Sequence, residues 1–236
     1  MRVLQTIAAV AAISAAGVGA QAAQGERPDL SGYWKVERYV AAIATTDGKP
    51  PPLRPEAKAL YDKRIADRKA GKADDPVDQC LRPGTPRVMW QARPFLLVQT
   101  PRKVTFVHEY QHVLRHIYLD EPLKPVGDLD PLFGGHSVGR WDGGALVVET
   151  AGFNGNTRLD EAGLPQSADA RITERFRKVD QNTLEDLVTI DDPKTYTEKW
   201  TTRVIFKKVP NGRLQQHICT EKLYPEPPNA RPRPPV

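Results

Sequence analysis

The sequence predicts a mostly β protein: a single antiparallel up-and-down barrel or strongly curved, calycin-like sheet of about ten strands with one peripheral helix. Three observations indicate this fold. Short runs of alternating apolar and polar residues recur from Phe95 onward, turn-forming residues separate them, and only one segment has helical spacing. Sequential hairpins favour closure into a barrel, because closure removes exposed strand edges. A β-sandwich is the alternative.

The elements are expected in the following order. Residues 30–40 are predicted to form the first strand, and 55–72 a helix whose many charged positions indicate an outside location. The later predicted strands are 95–100, 103–110, 113–119, the hairpin through Trp141 and 145–150, 171–179, 183–190, 200–209 and 213–219. The segments 120–136 and 152–168 are expected to be long loops.

Both ends of the chain are expected to lie outside the barrel. Arg2, an Ala-rich apolar run and the small-x-small pattern at residues 20–22 indicate a signal peptide cleaved near Ala22, with a membrane anchor as the alternative. The predicted organisation is a signal peptide over 1–22, a single β domain over 23–223 and a Pro-rich disordered tail over 224–236. We therefore expect a periplasmic or secreted protein without stable membrane insertion.

Charge and cysteine content restrict the partners and the compartment. The net charge is +5, but positive and negative residues are interspersed, so no nucleic-acid partner is expected. In an oxidising compartment the two cysteines, Cys80 and Cys219, can pair only with each other. Such a bond would stabilise the fold by about 4–5 kcal/mol at most. Two buried free thiols are the alternative.

The string His108-Glu109-Tyr110-Gln111-His112 has the form of a zinc-protease motif. That motif needs a helix, whereas the flanking residues indicate strands. Along one strand the two histidines would lie roughly 13 Å apart, too far to share a zinc ion. No metal or other cofactor is expected. The sequence also lacks the glycine motifs of serine hydrolases and nucleotide-binding enzymes.

The hairpin over 134–150 combines glycine, histidine and acid more densely than the rest of the chain. Gly134 and Gly135 precede His136, a turn follows Asp142, and Glu149 lies on the exit strand. Further along, Ile172, Glu174 and Phe176 share one face of a strand. On an inward face that carboxylate would be desolvated and suited to acid–base chemistry. The favoured alternative is a Glu paired with an Arg on a solvated face.

Two resemblances add to these observations. Gly32-Tyr33-Trp34 resembles the first strand of lipocalin- and avidin-like barrels, in which the Trp closes one end. The segments 80–87, 98–101, 116–120, 136–154 and 189–193 together resemble a large family of uncharacterised exported bacterial proteins of the acidobacterial and sphingomonad type. The resemblance covers about 28–220 and implies export and a single domain. Similar sequences often lack the histidine at 108, and they have a histidine where this chain has Gln166.

Two functions are consistent with these features: an exported cofactor-independent lyase, isomerase or hydrolase for a small organic substrate, and a lipocalin-like binding protein for a small hydrophobic or sugar-like ligand. For the enzyme, His136 would be the acid or base, Glu149 or Glu174 its partner, and Arg115 or Arg175 an anion stabiliser. The expected ligand-binding residues around a pocket at the barrel mouth are Trp34, Tyr110, Trp141, Phe153, Asn154, Asp160, Tyr196 and Trp200. The oligomeric state is left open.

Overall fold

The structure is a computed structural model that describes residues 27–72 and 74–219. This part of the chain forms a closed barrel of nine strands with one α-helix outside it. The strands are β1 (Gly32–Val36), β2 (Phe95–Gln99), β3 (Lys103–His108), β4 (Leu114–Leu119), β5 (His136–Asp142), β6 (Ala145–Ala151), β7 (Arg171–Asp180), β8 (Thr183–Asp191) and β9 (Trp200–Lys208). The predicted barrel with a single helix is confirmed. The predicted signal peptide and Pro-rich tail lie outside the described residues.

The lumen is filled by aromatic side chains that alternate along the strands. Phe95, Phe106, Phe176 and Phe206 are at most 1% exposed, and Phe95 and Phe106 have ring centroids 5.4 Å apart. Trp34 is fully buried, and its Nε1 donates to the carbonyl of Leu30 at 2.9 Å. The centre of this barrel is therefore a packed core, as in other small barrels.

The number of strands explains a departure from simple up-and-down order. Strands that alternate in direction can close into a ring only if their number is even, so nine strands require a parallel pair. That pair is β4 and β5, whereas every other neighbouring pair is antiparallel. The chain must therefore return from one end of the barrel to the other between β4 and β5. The segment 120–135 makes this return along the outer wall.

The two ends of the barrel differ. Tight turns at 100–102, 143–144 and 181–182 connect strands at one end. The connections at the other end, which pack over it, are 37–94 (described except for residue 73), 109–113, 152–170 and 192–199. Among their buried side chains, Trp90 donates from Nε1 to the Leu159 carbonyl at 2.7 Å, and the Tyr196 hydroxyl donates to the Pro165 carbonyl at 2.8 Å. These contacts seal the mouth of the barrel.

Helix α1 (Pro55–Lys69) ends three residues earlier than predicted. None of its fifteen residues is buried, which agrees with the expected outside position. Tyr61 and Arg64 attach it to the loop after β6: the Tyr61 hydroxyl lies 3.4 Å from an Asp160 oxygen, and Arg64 donates to the Gly163 carbonyl at 2.9 Å. No helix of the described residues is long and apolar enough to cross a membrane.

One predicted strand is wrong. Residues 213–219 form no strand; only an isolated bridge joins Tyr110 to His217. The reason is that β8 pairs along one side of β9 and β1 pairs with residues 206–208 on the other side, so the part of β9 next to the turn has no free edge for a tenth strand. The segment instead brings Cys219 to Cys80, with Cα atoms 5.3 Å apart in a disulfide. The predicted disulfide is confirmed.

Candidate functional site

The return segment 120–135 leaves two adjoining cavities between itself and the outer wall of the barrel. One, of about 430 Å³, lies against β4 and the start of β5. The other, of about 390 Å³, lies against β5 and β6. The two cavities share the lining residues Glu121, Pro122, Leu123 and Val138. Together they form the outer groove, whose size suits a small organic molecule.

His136, the first residue of β5, lines the outer groove. Its Nε2 atom lies 2.8 Å from the carbonyl oxygen of Asp130. Because a carbonyl can only accept a hydrogen bond, Nε2 carries a proton, so in the neutral form of the ring the lone pair lies on Nδ1. Gly135 adopts φ +62°, and a Cβ there would lie 2.8 Å from the Ala151 carbonyl oxygen. This close approach, which requires glycine, holds the His136 backbone against β6.

The register of β5 and β6 places two more charged side chains on the same face. Glu149 lies opposite Val138, and is therefore diagonal to both His136 and Arg140. Diagonal neighbours of an antiparallel pair have Cβ atoms about 7 Å apart. Glu149 and Arg140 line the cavity that adjoins the one containing His136. The outer groove thus presents an imidazole, a carboxylate and a guanidinium within reach of one small molecule.

A second polar group lies inside the barrel, on the opposite side of the same wall. Arg115 donates to both carboxylate oxygens of Glu174, at 2.8 Å from Nη1 to Oε1 and also from Nη2 to Oε2. Its Nη2 also donates to the hydroxyls of Ser137 at 3.2 Å and Thr150 at 3.0 Å. All four side chains belong to residues at most 6% exposed. We call these four residues the inner polar cluster.

This cluster changes part of the predicted proton-transfer machinery. Glu174 points inward while His136 points outward, so the barrel wall separates them and they cannot act as a pair. Glu174 lies on a buried face, which is the position required for a desolvated catalytic carboxylate. It is also paired with an arginine, which was expected only for a Glu on a solvated face. The guanidinium of Arg115 is engaged by Glu174 and is therefore not available to stabilise an anionic substrate.

Arg175, the other predicted anion stabiliser, lies on the outer face near the tight turn after β5. It donates from Nη1 to the Asp142 carboxylate at 2.7 Å, and both side chains are more than one-third exposed. Neither residue lines the outer groove. Their pairing is consistent with a hairpin ion pair at the surface.

Two further ionisable groups face the lumen. His108 is 2% exposed, and its Nε2 has no hydrogen-bond partner among the described residues. Burial lowers the pKa of His108 to about 3, and the Arg115 cation adds to this effect, so the imidazole is neutral. Asp186 is fully buried, and neither of its oxygens makes a hydrogen bond of normal geometry within residues 27–72 and 74–219.

Asp186 has a strongly perturbed carboxyl group. Burial raises the pKa of Asp186 well above its usual range, and the neighbouring Glu174 carboxylate raises it further. The Arg115 cation and the backbone amide of Arg175 offset only part of this rise. The carboxyl group is consequently favoured in its protonated form.

The aromatic residues predicted to bind ligand occupy other positions. Trp34, Phe153, Tyr196 and Trp200 are at most 5% exposed and belong to the core, against which Trp141 also packs. Tyr110 stacks on His217, with ring centroids 5.0 Å apart. None of the six lines the outer groove. These six side chains therefore do not line a shared ligand pocket, because the lumen and the mouth of the barrel are filled by side chains.

Asp160 and Asn154 organise the loop after β6. The buried Asp160 carboxylate accepts hydrogen bonds from the amides of Ile43 at 3.1 Å, Gly163 at 2.9 Å and Leu164 at 2.8 Å. Burial raises the pKa of Asp160, although these amides oppose the rise. The Asn154 side chain accepts from the amide of Asn156 at 3.0 Å. Both are consistent with roles in loop structure.

The zinc-like string does not assemble a site. His108 faces the lumen, whereas His112 lies in the turn between β3 and β4 with φ +48°. Glu109 is paired with Arg93 at 3.0 Å and accepts from the amide of Gln215. No group of three metal-ligating side chains is found among the described residues.

Asp186 and His108 were missed as site candidates by the sequence analysis, although a signal was present. Asp186 alternates with Leu184 and Val188 in the same way that Glu174 alternates with its apolar neighbours. His108 likewise follows Val104 and Phe106 on one face. In strands, every second residue lies on the same face, so the apolar neighbours of Asp186 in β8 and of His108 in β3 could have identified both as inward-facing.

Comparison with known proteins adds no function. No protein-family model matches the chain, and a search of curated proteins finds no significant relative.

Proposed function

We propose that the protein is an exported, cofactor-independent enzyme that acts on a small organic substrate by acid–base chemistry in the outer groove. The observation that carries this proposal is the state of His136. Its Nε2–H is held by the Asp130 carbonyl, so Nδ1 is left as the basic atom in a groove that also contains Glu149. Imidazole exchanges protons readily near neutral pH.

The roles follow from the geometry of the two strands. His136 removes a proton from a substrate that lies over Val138, and Glu149, diagonal to it, exchanges a proton with the other side of the substrate. Arg140 takes the role that the sequence analysis gave to Arg115 or Arg175: its cation stabilises negative charge that develops on the substrate. This assignment uses only side chains on one face of β5 and β6.

A binding protein for a small hydrophobic or sugar-like ligand is the second candidate. It is favoured by the apolar side chains at the edge of the groove: Leu114, Tyr118 and Leu132 are 53%, 46% and 45% exposed. These side chains also line the cavity that contains His136. In this case the ligand would occupy the outer groove, because the lumen that lipocalins use is filled here.

Export and membership of the resembling bacterial family are part of the proposal. The Cys80–Cys219 bond supports export because disulfides persist mainly in oxidising compartments.

Proton exchange is the direct test of the enzyme proposal. A library of small hydroxy, keto and amino acids and sugars is incubated with the purified protein in deuterated water, and deuterium incorporation is followed by mass spectrometry. We expect at least one compound class to be labelled or converted, and His136→Gln and Glu149→Gln to slow that reaction by about 100-fold or more. His112→Asn is the matched control, because His112 lies in a turn and does not line the outer groove.

Two results would overturn the enzyme proposal. Equal rates for wild type and His136→Gln would remove His136 from the mechanism. Compounds that bind in the outer groove but show no exchange or conversion would leave the binding protein as the function.

A further inference from the structure

A third cavity lies across the barrel from the outer groove, where the wall between β9 and β1 is incomplete. β1 pairs with β9 only from Trp34 to Val36, so the first half of β9 has no strand on the side away from β8. The chain rejoins β9 at two points: the Glu37 amide donates to the Ile205 carbonyl, and the Thr46 amide donates to the Thr201 carbonyl. Between these points the segment 38–45 bends away and leaves a cavity of about 770 Å³, the side cavity.

The inner wall of the side cavity is formed by residues that face the lumen. Thr202 and Val204 are inward-facing residues of β9, and they line the cavity together with Val36, Ile43 and Trp90. Four of these five side chains are apolar. The inner wall of the side cavity is therefore mostly apolar. The outer part of the cavity also carries the charged residues Glu37, Arg38 and Arg203 and the hydroxyls of Thr45 and Thr46.

The side cavity ends next to Asp186. In the β8–β9 ladder, Asp186 lies directly opposite Val204, and Val188 lies opposite Thr202. Opposed residues of an antiparallel pair have Cβ atoms about 4.5–5.5 Å apart. The Asp186 carboxyl, which is fully buried and makes no normal hydrogen bond within the described residues, therefore lies just behind the cavity wall.

The charges of the lumen indicate what is missing. Arg115 pairs with Glu174 and burial keeps His108 neutral, so among the described residues of the lumen no unpaired cation is left for an ionised Asp186. The inward residues of β9, Thr202, Val204 and Phe206, carry no charge. A buried carboxylate is stable only when a cation pairs with it. One positive charge at this position would complete the charge balance of the interior.

We propose that the side cavity binds a small amphipathic primary amine, whose apolar part contacts Trp90 and Val204 and whose ammonium group pairs with the carboxylate of Asp186. An organic amine suits the inner part of the cavity better than a metal ion, because four of the five side chains there are apolar and no group of three metal-ligating side chains exists in the described chain. The Thr202 hydroxyl can accept a second hydrogen bond from the ammonium.

Binding moves one proton. Without ligand, the Asp186 carboxyl keeps its proton because burial and the Glu174 carboxylate oppose ionisation. When the ammonium ion enters, Asp186 releases this proton to solvent and the ammonium retains its own. The charged groups around Asp186 are Glu174 and Arg115 in the lumen and Glu185, the next residue on β8. Affinity is therefore expected to increase with pH while the amine stays protonated.

Titration calorimetry with three matched probes tests the proposal: hexylamine, 1-hexanol and hexanoate. The wild-type protein is expected to bind hexylamine at least tenfold more tightly than hexanol, to bind hexanoate least, and to release about one proton per amine, measured in buffers of different ionisation enthalpy. Asp186→Asn should reduce the hexylamine affinity to that of hexanol. Asp62→Asn, which makes the same change at an exposed carboxylate of helix α1 outside the cavity, is the control and should bind as wild type does.

Val204→Phe provides a second test that leaves Asp186 intact, since it fills the cavity beside it. It should weaken binding of both hexylamine and hexanol by tenfold or more. Equal affinities of hexylamine and hexanol, unchanged hexylamine binding by Asp186→Asn, or unchanged binding by Val204→Phe would each overturn the proposal. These measurements do not involve the outer groove, so they are independent of the enzyme function proposed above.

Discussion

The ion pair between Arg115 and Glu174 predicts an unequal response to removal of its two members. Arg115→Met leaves the Glu174 carboxylate buried without a cation, a change that typically lowers the free energy of unfolding by about 3–5 kcal/mol. For a domain of this size, that loss corresponds to a fall in Tm of about 6–20 °C. Glu174→Gln should cost less, about 1–3 kcal/mol, because another carboxyl group can replace the lost charge.

That replacement group is Asp186. Burial is the main cause of its raised pKa, and the Glu174 carboxylate raises it further. In Glu174→Gln the repulsion from Glu174 is removed, so the pKa of Asp186 falls and its carboxylate can form beside Arg115. After Arg115→Met no comparable cation faces Glu174 among the described residues, since His108 is held neutral by burial. The asymmetry therefore follows from the composition of the lumen.

Urea unfolding at pH 7, followed by circular dichroism, measures the free energy of unfolding of the two single variants and of the double variant Arg115→Met/Glu174→Leu. The double variant should lie within about 1 kcal/mol of wild type, or be more stable, because it removes both buried charges. Exposed ion pairs contribute less than about 1 kcal/mol. If Arg115→Met lowered the free energy of unfolding by less than this, the pair would be solvated and not buried. If Glu174→Gln lost more free energy of unfolding than Arg115→Met, Asp186 would not be replacing Glu174 as the partner of Arg115.

Three further predictions concern the disulfide, the pH dependence and the hairpin. Replacing Cys80 and Cys219 by Ala should lower the free energy of unfolding by at most about 4–5 kcal/mol, and reductant should destabilise wild type but not the variant in urea titrations. Because the pKa of Asp186 is raised in the folded state, the folded protein holds a proton that the unfolded chain loses above about pH 4. The contribution of Asp186 to the free energy of unfolding is therefore fully present at low pH. It falls as the pH rises, by up to about 1.4 kcal/mol per pH unit. Asp186→Asn should remove that decline and be more stable than wild type near pH 7; a steeper decline would contradict the assignment. Gly135→Ala should destabilise by more than about 1 kcal/mol because of its φ of +62° and the contact with β6, whereas Gly127→Ala, whose Cβ would meet nothing within 4 Å, should leave Tm unchanged.

Local patterns were sufficient for the elements of the barrel. The alternation of Ile172, Glu174 and Phe176 correctly indicated a strand with these three side chains on one face, although a solvated face was favoured for Glu174. The helix begins at Pro55, as predicted. The pairing of Cys80 with Cys219 followed from their being the only two cysteines. These inferences succeeded because strand period, helix start and cysteine number depend on residues close in sequence or on composition alone.

The candidate site could be predicted only in part. His136 and Glu149 were selected from one hairpin, and the structure places both in the outer groove. The β5 strand has no clear apolar face, because Val138 points outward while Ser137 and Gly139 are buried. The sequence could therefore not show that His136 faces outward, or that Glu174 faces the opposite side of the wall.

The sequence by itself determined a barrel-forming set of strands, one outside helix, the disulfide and the hairpin that carries His136. Tertiary structure alone decided that nine strands close the ring, that β4 and β5 must then be parallel, and that 120–135 must cross the outer wall above His136. It also decided that Arg115 meets Glu174, 59 residues away. The physical reason is that closure is a property of the whole ring, whereas strand periodicity reports only which residues of one strand share a face.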